Sequence, residues 1–210
     1  MSKPLTIAVP KGRVLKSVSE LFRRAGIDVA GLGEDDRRLV RTTDNRRLRF
    51  LLLKPDDVPT YVEYGAADLG VAGRDVLLER GYDLYQPLEL GIGRCRMVVA
   101  APIDAPPPPG VPRVATKFPR IAADHFAKKG VQAEIIYVQG SVELAPLVGL
   151  SDLIVDLVET GTTLKENRLE VVEEVVPISS VLVANRAAYK LRSAEIGPLV
   201  SKLREAVRAR

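Results

Sequence analysis

Apolar, strand-like runs alternate with amphipathic segments almost from end to end of this 210-residue chain. That alternation restricts it to α/β architectures, with parallel or mixed sheets covered by helices on both faces. Leu5 to Val9 reads as a first strand ending at Pro10-Lys-Gly-Arg13. Val14, Leu15, Val18, Leu21 and Phe22 then recur at helical spacing until Gly26. Arg37 to Thr43 and Arg47 to Leu53 form an expected hairpin around Asp44-Asn45. Pro55 to Tyr64 is an expected helix, Ala67 to Val71 a buried strand, and Asp75 to Arg80 a short helix closed by Gly81.

A second series starts near Cys95. Strands are expected at Met97 to Ala101, Val111 to Ala115, Ala133 to Val138 and Leu153 to Val158, with helices at Pro119 to Lys129 and Val142 to Val148. The proline run Pro106 to Pro109 is too stiff and too poor in donors for either element. Leu169 to Ile178 and Ser180 to Ala184 are further strands, and Ala194 to Val207 carries Ile196, Leu199, Val200 and Leu203 on one helical stripe. These last elements need a core to pack on. Their return to the first lobe predicts a discontinuous lobe of residues 1–92 plus 179–210 and a second lobe of residues 93–178, joined by two crossings with a ligand cleft between them.

Charge and composition narrow the function. The net charge is +4 and the arginines are spread along the chain, which argues against general nucleic-acid binding. No apolar run reaches the roughly 18 residues of a membrane span. The N-terminus lacks a secretory pattern, so the expected compartment is the cytoplasm. A single cysteine, Cys95, forms no internal disulfide, and one histidine, His125, gives little scope for a zinc site. Any metal is expected to be oxygen-bound, hence magnesium.

The stretch Leu153-Ile-Val-Asp-Leu-Val-Glu-Thr-Gly-Thr-Thr163 carries the most chemistry. An apolar strand runs into a small, hydroxyl-rich turn that begins a helix, a combination suited to a phosphate. Gly161 lets the backbone approach an anion, and the N–H groups of Thr162, Thr163 and Leu164 face it from the positive end of a helix. The hydroxyls of Thr160, Thr162 and Thr163 add neutral donors. Asp156 and Glu159 are poor phosphate contacts, so they are expected to meet sugar hydroxyls or a divalent cation. Lys11 and Arg13, between the first strand and the first helix, are placed to clamp polyphosphate, because cations are disfavoured at a helix start unless an anion is present.

Several ordered motifs resemble one family. Asp156-Leu-Val-Glu-Thr-Gly-Thr-Thr-Leu-Lys-Glu-Asn167 followed by Ile178-Ser-Ser-Val-Leu-Val-Ala-Asn185 is similar to the characteristic segment of ATP phosphoribosyltransferases. Pro10-Lys-Gly-Arg13, Asp57-Val-Pro-Thr-Tyr-Val-Glu-Tyr-Gly-Ala-Ala-Asp-Leu-Gly70 and Gly140-Ser-Val-Glu-Leu-Ala-Pro146 match that family in the same order, over nearly the whole chain. The resemblance implies a two-lobed fold like that of type II periplasmic binding proteins, with a double interdomain crossing. It also implies transfer of the phosphoribosyl group of phosphoribosyl pyrophosphate (PRPP) to N1 of the adenine of ATP, with magnesium as cofactor. The chain looks like the short form, which pairs with a regulatory subunit resembling histidyl-tRNA synthetase, as a homodimer within a hetero-oligomer.

On this resemblance Thr160, Gly161, Thr162 and Thr163 take the 5'-phosphate, and Glu143 and Asp156 face the ribose and magnesium, with Glu159 beside them. The plain alternative for Glu143 is a helix-capping acid. By their places in the chain, Arg37 and Lys54 on the hairpin strands join Lys11, Gly12 and Arg13 toward pyrophosphate or ATP, while Gly73 and Asp75, after a buried strand, either serve the nucleotide side or form a helix whose acid sits in its first turn. The chain departs from the family at Lys54, where arginine is usual, so a bidentate fork becomes a point charge. The rival readings are a non-catalytic two-lobed anion or small-molecule binding protein, and a Rossmann-like phosphoribosyltransferase. The second usually has two adjacent acids before its Thr-Gly loop, whereas here Leu157 follows Asp156.

Overall fold

The computed structural model describes residues 3–29, 32 and 38–209. Arg37, and with it the start of the expected first hairpin strand, lies outside the described residues. By contacts the chain divides into one compact unit of residues 1–77, 81–93 and 179–210 and a second of residues 78–80 and 94–178.

The first unit is a six-stranded sheet in the order β2-β3-β1-β4-β11-β5. Its strands are β1 (Leu5–Pro10), β2 (Val40–Thr42), β3 (Leu48–Leu53), β4 (Leu69–Gly73), β5 (Tyr85–Glu89) and β11 (Ser180–Ala184). β1 runs parallel to β3 and β4, while β11 is antiparallel to β4 and β5. Because side chains alternate across a strand, Ile7, Val9, Phe50, Val71 and Leu182 bury one face, under α1 (Arg13–Arg24) and α8 (Ser193–Arg208). Ala8, Ala72, Val181 and Val183 bury the other, under Val58 and Val62 of α2 (Val58–Glu63). Gly70 makes that second layer possible, since a Cβ there would lie 2.7 Å from Val62 Cγ2 and 2.9 Å from Val58 Cγ1.

The second unit is a five-stranded sheet in the order β10-β6-β9-β7-β8. It comprises β6 (Cys95–Pro102), β7 (Arg113–Thr116), β8 (Glu134–Tyr137), β9 (Leu153–Val158) and β10 (Leu169–Ile178). β7 is parallel to β8 and β9, and β6 is antiparallel to β9 and β10. One face packs Met97, Val99 and Val155 against Phe118, Ile121 and Phe126, the last two from α4 (Pro119–Lys128). The other packs Val98, Ala100 and Ile154 against Ala145 of α5 (Leu144–Leu147) and Leu164 of α6 (Thr162–Glu166).

Several elements differ from expectation. The helix expected over residues 55–64 is a 3-10 turn, Pro55–Asp57, followed by α2. β4 starts two residues late because Ala67 N–H still donates to Tyr61 O in the turn after α2. The helix expected over residues 142–148 shrinks to the four residues of α5, bracketed by Ser141 and Gly149 at φ 45° and 74°. β5 was not expected, nor was α7 (Arg186–Leu191), which is capped by the Asn185 side chain accepting from Ala188 N–H at 3.0 Å.

Candidate functional site

Parallel pairing gives each sheet one edge where several strands end together, the edge at which ligands of open α/β sheets bind. In the first unit, Pro10 of β1 pairs with Leu53 of β3, so the residues after them emerge side by side. Lys11 N–H donates to Leu53 O at 2.7 Å, which brings the exposed Lys11 and Lys54 to one edge. Gly12 sits at φ 87° and ψ −148°, a conformation open to glycine and closed to most residues, and it turns the chain from β1 into α1 at the exposed Arg13. β4, parallel to β1, ends at the same edge with Gly73. The Asp75 carboxylate folds back over Gly73, where a Cβ would stand 2.1 Å from Asp75 Oδ1 and would displace it. Lys11, Gly12, Arg13, Lys54, Gly73 and Asp75 are therefore brought together. Arg37 lies outside the described residues.

In the second unit the parallel strands β7, β8 and β9 end at one edge, bringing three loops together. After β9 the chain passes through Glu159 and Thr160 to Gly161, at φ 81° and ψ 3°, and into α6. The Thr160 and Thr162 hydroxyls are 3.0 Å apart, and Thr162 N–H points at Thr160 Oγ1 at 3.4 Å. The first bond into α6 is Lys165 N–H to Gly161 O at 3.1 Å, so the amides of Thr162, Thr163 and Leu164 precede the helical ladder. Thr160, Thr162 and Thr163 are exposed. The turn therefore offers hydroxyls and amides outside the helical ladder, the donors that a phosphate cradle uses, and carries no cation of its own.

Asp156 lies inside β9, on the face it shares with Ile154 and Val158. Burial pushes its carboxyl up from 3.8 to about 6; the Leu157 N–H, donating to Oδ1 at 2.8 Å, opposes this, the charge of Glu143 adds to it, and Lys117 draws it down. Glu143 stands half-buried at the N-cap of α5 and makes no side-chain capping bond there. Two carboxyls and one ammonium thus share the field beside the Thr160–Thr163 turn. Glu159 is exposed at the head of that turn.

Lys117 is the residue that the sequence reasoning missed. It follows β7 in a turn fixed by Thr116, whose buried hydroxyl donates to Val155 O at 2.7 Å and accepts from Phe118 N–H at 2.9 Å. The sequence signal is a cation between a strand and a helix, the placement that also singles out Lys11. Among the described residues no group of three or more His, Cys, Asp or Glu side chains is gathered to hold a metal ion, and no helix is long and apolar enough to cross a membrane.

Comparison with known proteins gives this geometry a family. The ATP phosphoribosyltransferase family model matches residues 54–205. An ATP phosphoribosyltransferase from Sorangium cellulosum is 70% identical over 98% of this chain and 97% of its own length, and one from Halorhodospira halophila is 54% identical over 100% and 99%. Among solved structures, the ATP phosphoribosyl transferase (HisG:HisZ) complex from Thermotoga maritima includes a chain that superposes with a TM-score of 0.84 at 38% identity, covering 98% of this chain and 100% of that one. The fold alone is shared with the periplasmic aliphatic sulphonate binding protein SsuA from Escherichia coli, at 15% identity and a TM-score of 0.63 over 99% and 73% of the two chains. The two sheets therefore form a fold of the periplasmic-binding-protein type, and the chain belongs to the ATP phosphoribosyltransferase family.

Proposed function

We propose that the chain transfers the phosphoribosyl group of PRPP to N1 of the adenine of ATP, giving phosphoribosyl-ATP and pyrophosphate, the first step of histidine biosynthesis. The observation that carries this reading is the full-length similarity to ATP phosphoribosyltransferases at 50 to 70% identity, on a chain that holds a cation-free threonine turn beside two carboxyls.

The reaction replaces the anomeric C–O bond by a C–N bond through an oxocarbenium-like state, while charge accumulates on the departing diphosphate. The site has to align two substrates and neutralise the leaving group. It needs no strong base, because adenine N1 is unprotonated at neutral pH. The second unit holds the donor. Thr160, Gly161, Thr162 and Thr163 take the 5'-phosphate, Asp156 and Glu143 accept from the ribose hydroxyls, and Glu159 flanks the sugar. The first unit supplies cations, with Lys11, Arg13 and Lys54 drawing off pyrophosphate alongside Arg37, and Gly12, Gly73 and Asp75 shaping the nucleotide side.

Glu143 and Asp156 are too few to enclose a cation. They fit magnesium, which is commonly held by one or two carboxylates and by substrate phosphates. When bound, that ion supplies positive charge to the diphosphate. The chain works as a short-form catalytic subunit in the cytoplasm, a homodimer within a hetero-oligomer that includes a regulatory subunit resembling histidyl-tRNA synthetase. The Thermotoga maritima neighbour, solved as a HisG:HisZ complex, supports the pairing with a second kind of subunit.

Incubating the purified pair of subunits with PRPP, magnesium and either ATP or a panel of free nucleobases, then assaying pyrophosphate, tests the reading. Release with ATP alone is expected. Release with a nucleobase in place of ATP, or none with any acceptor, contradicts it.

A further inference from the structure

The first unit has a second concave surface, at the end of its sheet opposite Lys11 and Lys54. β1 and β3 begin there, with Leu5 N–H donating to Arg47 O at 2.9 Å. The groove measures about 1070 Å³, and α8 contributes Pro198, Leu199 and Lys202 to its wall. Its floor is apolar, built from Pro4, Leu5, Ile27 and Leu48 with the two α8 residues. Around the floor stand Lys3, Arg46, Arg47, Arg49 and Lys202. Among the described residues Glu195 is the only acid in the lining, and the Arg192 guanidinium already holds its carboxylate at 3.0 and 2.8 Å.

Among the described lining residues five cations stand against one acid, a local excess of +4. Among the described residues no ion pair neutralises those five cations. Scattered surface lysines and arginines are ordinary. A gathering of five cations around one acid in one concavity calls for an anionic occupant.

Size and lining decide what kind. A further depression of about 350 Å³ shares Lys3 and Glu195 with the groove and adds Leu191, which is 86% exposed. Together they exceed the roughly 300–1,000 Å³ typical of small-molecule sites. Among the described residues no aromatic ring lines either surface to stack a base, unlike single-strand nucleic-acid platforms. A second copy meeting this face across a two-fold axis would set like charges against each other. An apolar centre with a charged rim is instead the anatomy of a protein interface.

We infer that this groove docks an acidic surface segment of the regulatory partner subunit, with the rim cations steering it and Leu191 and the apolar floor seating it. The inference rests on the assembly reading above. The test measures binding of the full-length chain to the regulatory subunit by surface plasmon resonance at 50 and 300 mM salt. Wild type is compared with Lys202→Glu and with the double variant Arg47→Glu/Lys202→Glu. Circular dichroism and PRPP binding by the isolated chain, which the groove does not serve, verify that both variants fold.

The expected result is a loss of affinity of about tenfold or more in the double variant, a smaller loss in the single one, and a flattened salt dependence in both. Wild-type affinity and salt slope in the double variant overturn the docking site. Intact partner binding with lost self-association would assign the groove to a second copy, and intact partner binding with weakened ATP or pyrophosphate binding would assign it to a small anion; either overturns the inference. Failure of wild type itself to bind the regulatory subunit sinks the assembly reading, and the docking site with it.

Discussion

Replacing Asp156 by asparagine should make the protein more stable and less active at once. The Asp156 carboxyl titrates near 6 in the folded chain against 3.8 as its ordinary value, chiefly because burial disfavours the charged form. As pH rises past the ordinary value the unfolded state ionises freely, while the folded state either keeps its proton or buries a charge. The penalty is therefore absent below the ordinary value, grows as pH rises, and is complete once pH passes about 6. The rise from 3.8 to about 6 corresponds to roughly 3 kcal/mol at pH 8, and to well under 1 kcal/mol at pH 4. Asparagine keeps the shape and the acceptor for the Leu157 N–H bond of 2.8 Å, and it never ionises.

Denaturant unfolding of wild type and Asp156→Asn at pH 4 and pH 8 should give a stabilisation that grows by roughly 2 kcal/mol between the two. PRPP affinity should fall in the variant, the usual trade between a stable site and a working one. A gain that does not change with pH, or a variant less stable than wild type at pH 8, would refute the reasoning.

Three further outcomes follow from geometry. Gly70→Ala drives a methyl group into Val62 and Val58, so it should lower stability by about 1–3 kcal/mol in a thermal melt, and Val62→Ala in the same chain should recover part of the loss. Gly161→Ala forces a side chain into φ 81°, at a cost of about 1–2 kcal/mol, and should raise the KM for PRPP far more than that for ATP in steady-state assays. Lys54→Ala should weaken pyrophosphate inhibition and slow turnover, with Lys54→Arg restoring both; an alanine variant with unchanged turnover and product affinity would remove Lys54 from the leaving-group site.

What could be read from the residues alone depended on whether the deciding force was local. β9, β10 and β11 occupy the residues expected of them, because their apolar runs are closed by Thr-Gly, Gly-free polar and proline-serine boundaries that act within a few residues. β5 escaped notice because Tyr85–Glu89 is an edge strand interrupted by Pro87, with neither clean alternation nor a buried run. α7 escaped although its signal, Asn185 accepting from Ala188 N–H, is local and was there to be seen. The Thr160–Thr163 turn was legible because strand, glycine and helix are contiguous. Lys117 was not, because its place near Asp156 comes from β7 lying beside β9, a pairing between residues about forty positions apart. The raised carboxyl of Asp156 was likewise invisible, since burial is supplied by α5 and α6 and not by its neighbours in sequence.

The claim on which the account turns is that the glycine turn after β9 grips the terminal phosphate of the sugar donor. A crystal structure of the chain soaked with PRPP and magnesium tests it directly. Phosphate oxygens within hydrogen-bonding distance of the Thr162 and Thr163 amides, with ribose hydroxyls on Asp156 or Glu143, are the predicted result. A donor bound elsewhere while the turn stays empty would contradict it.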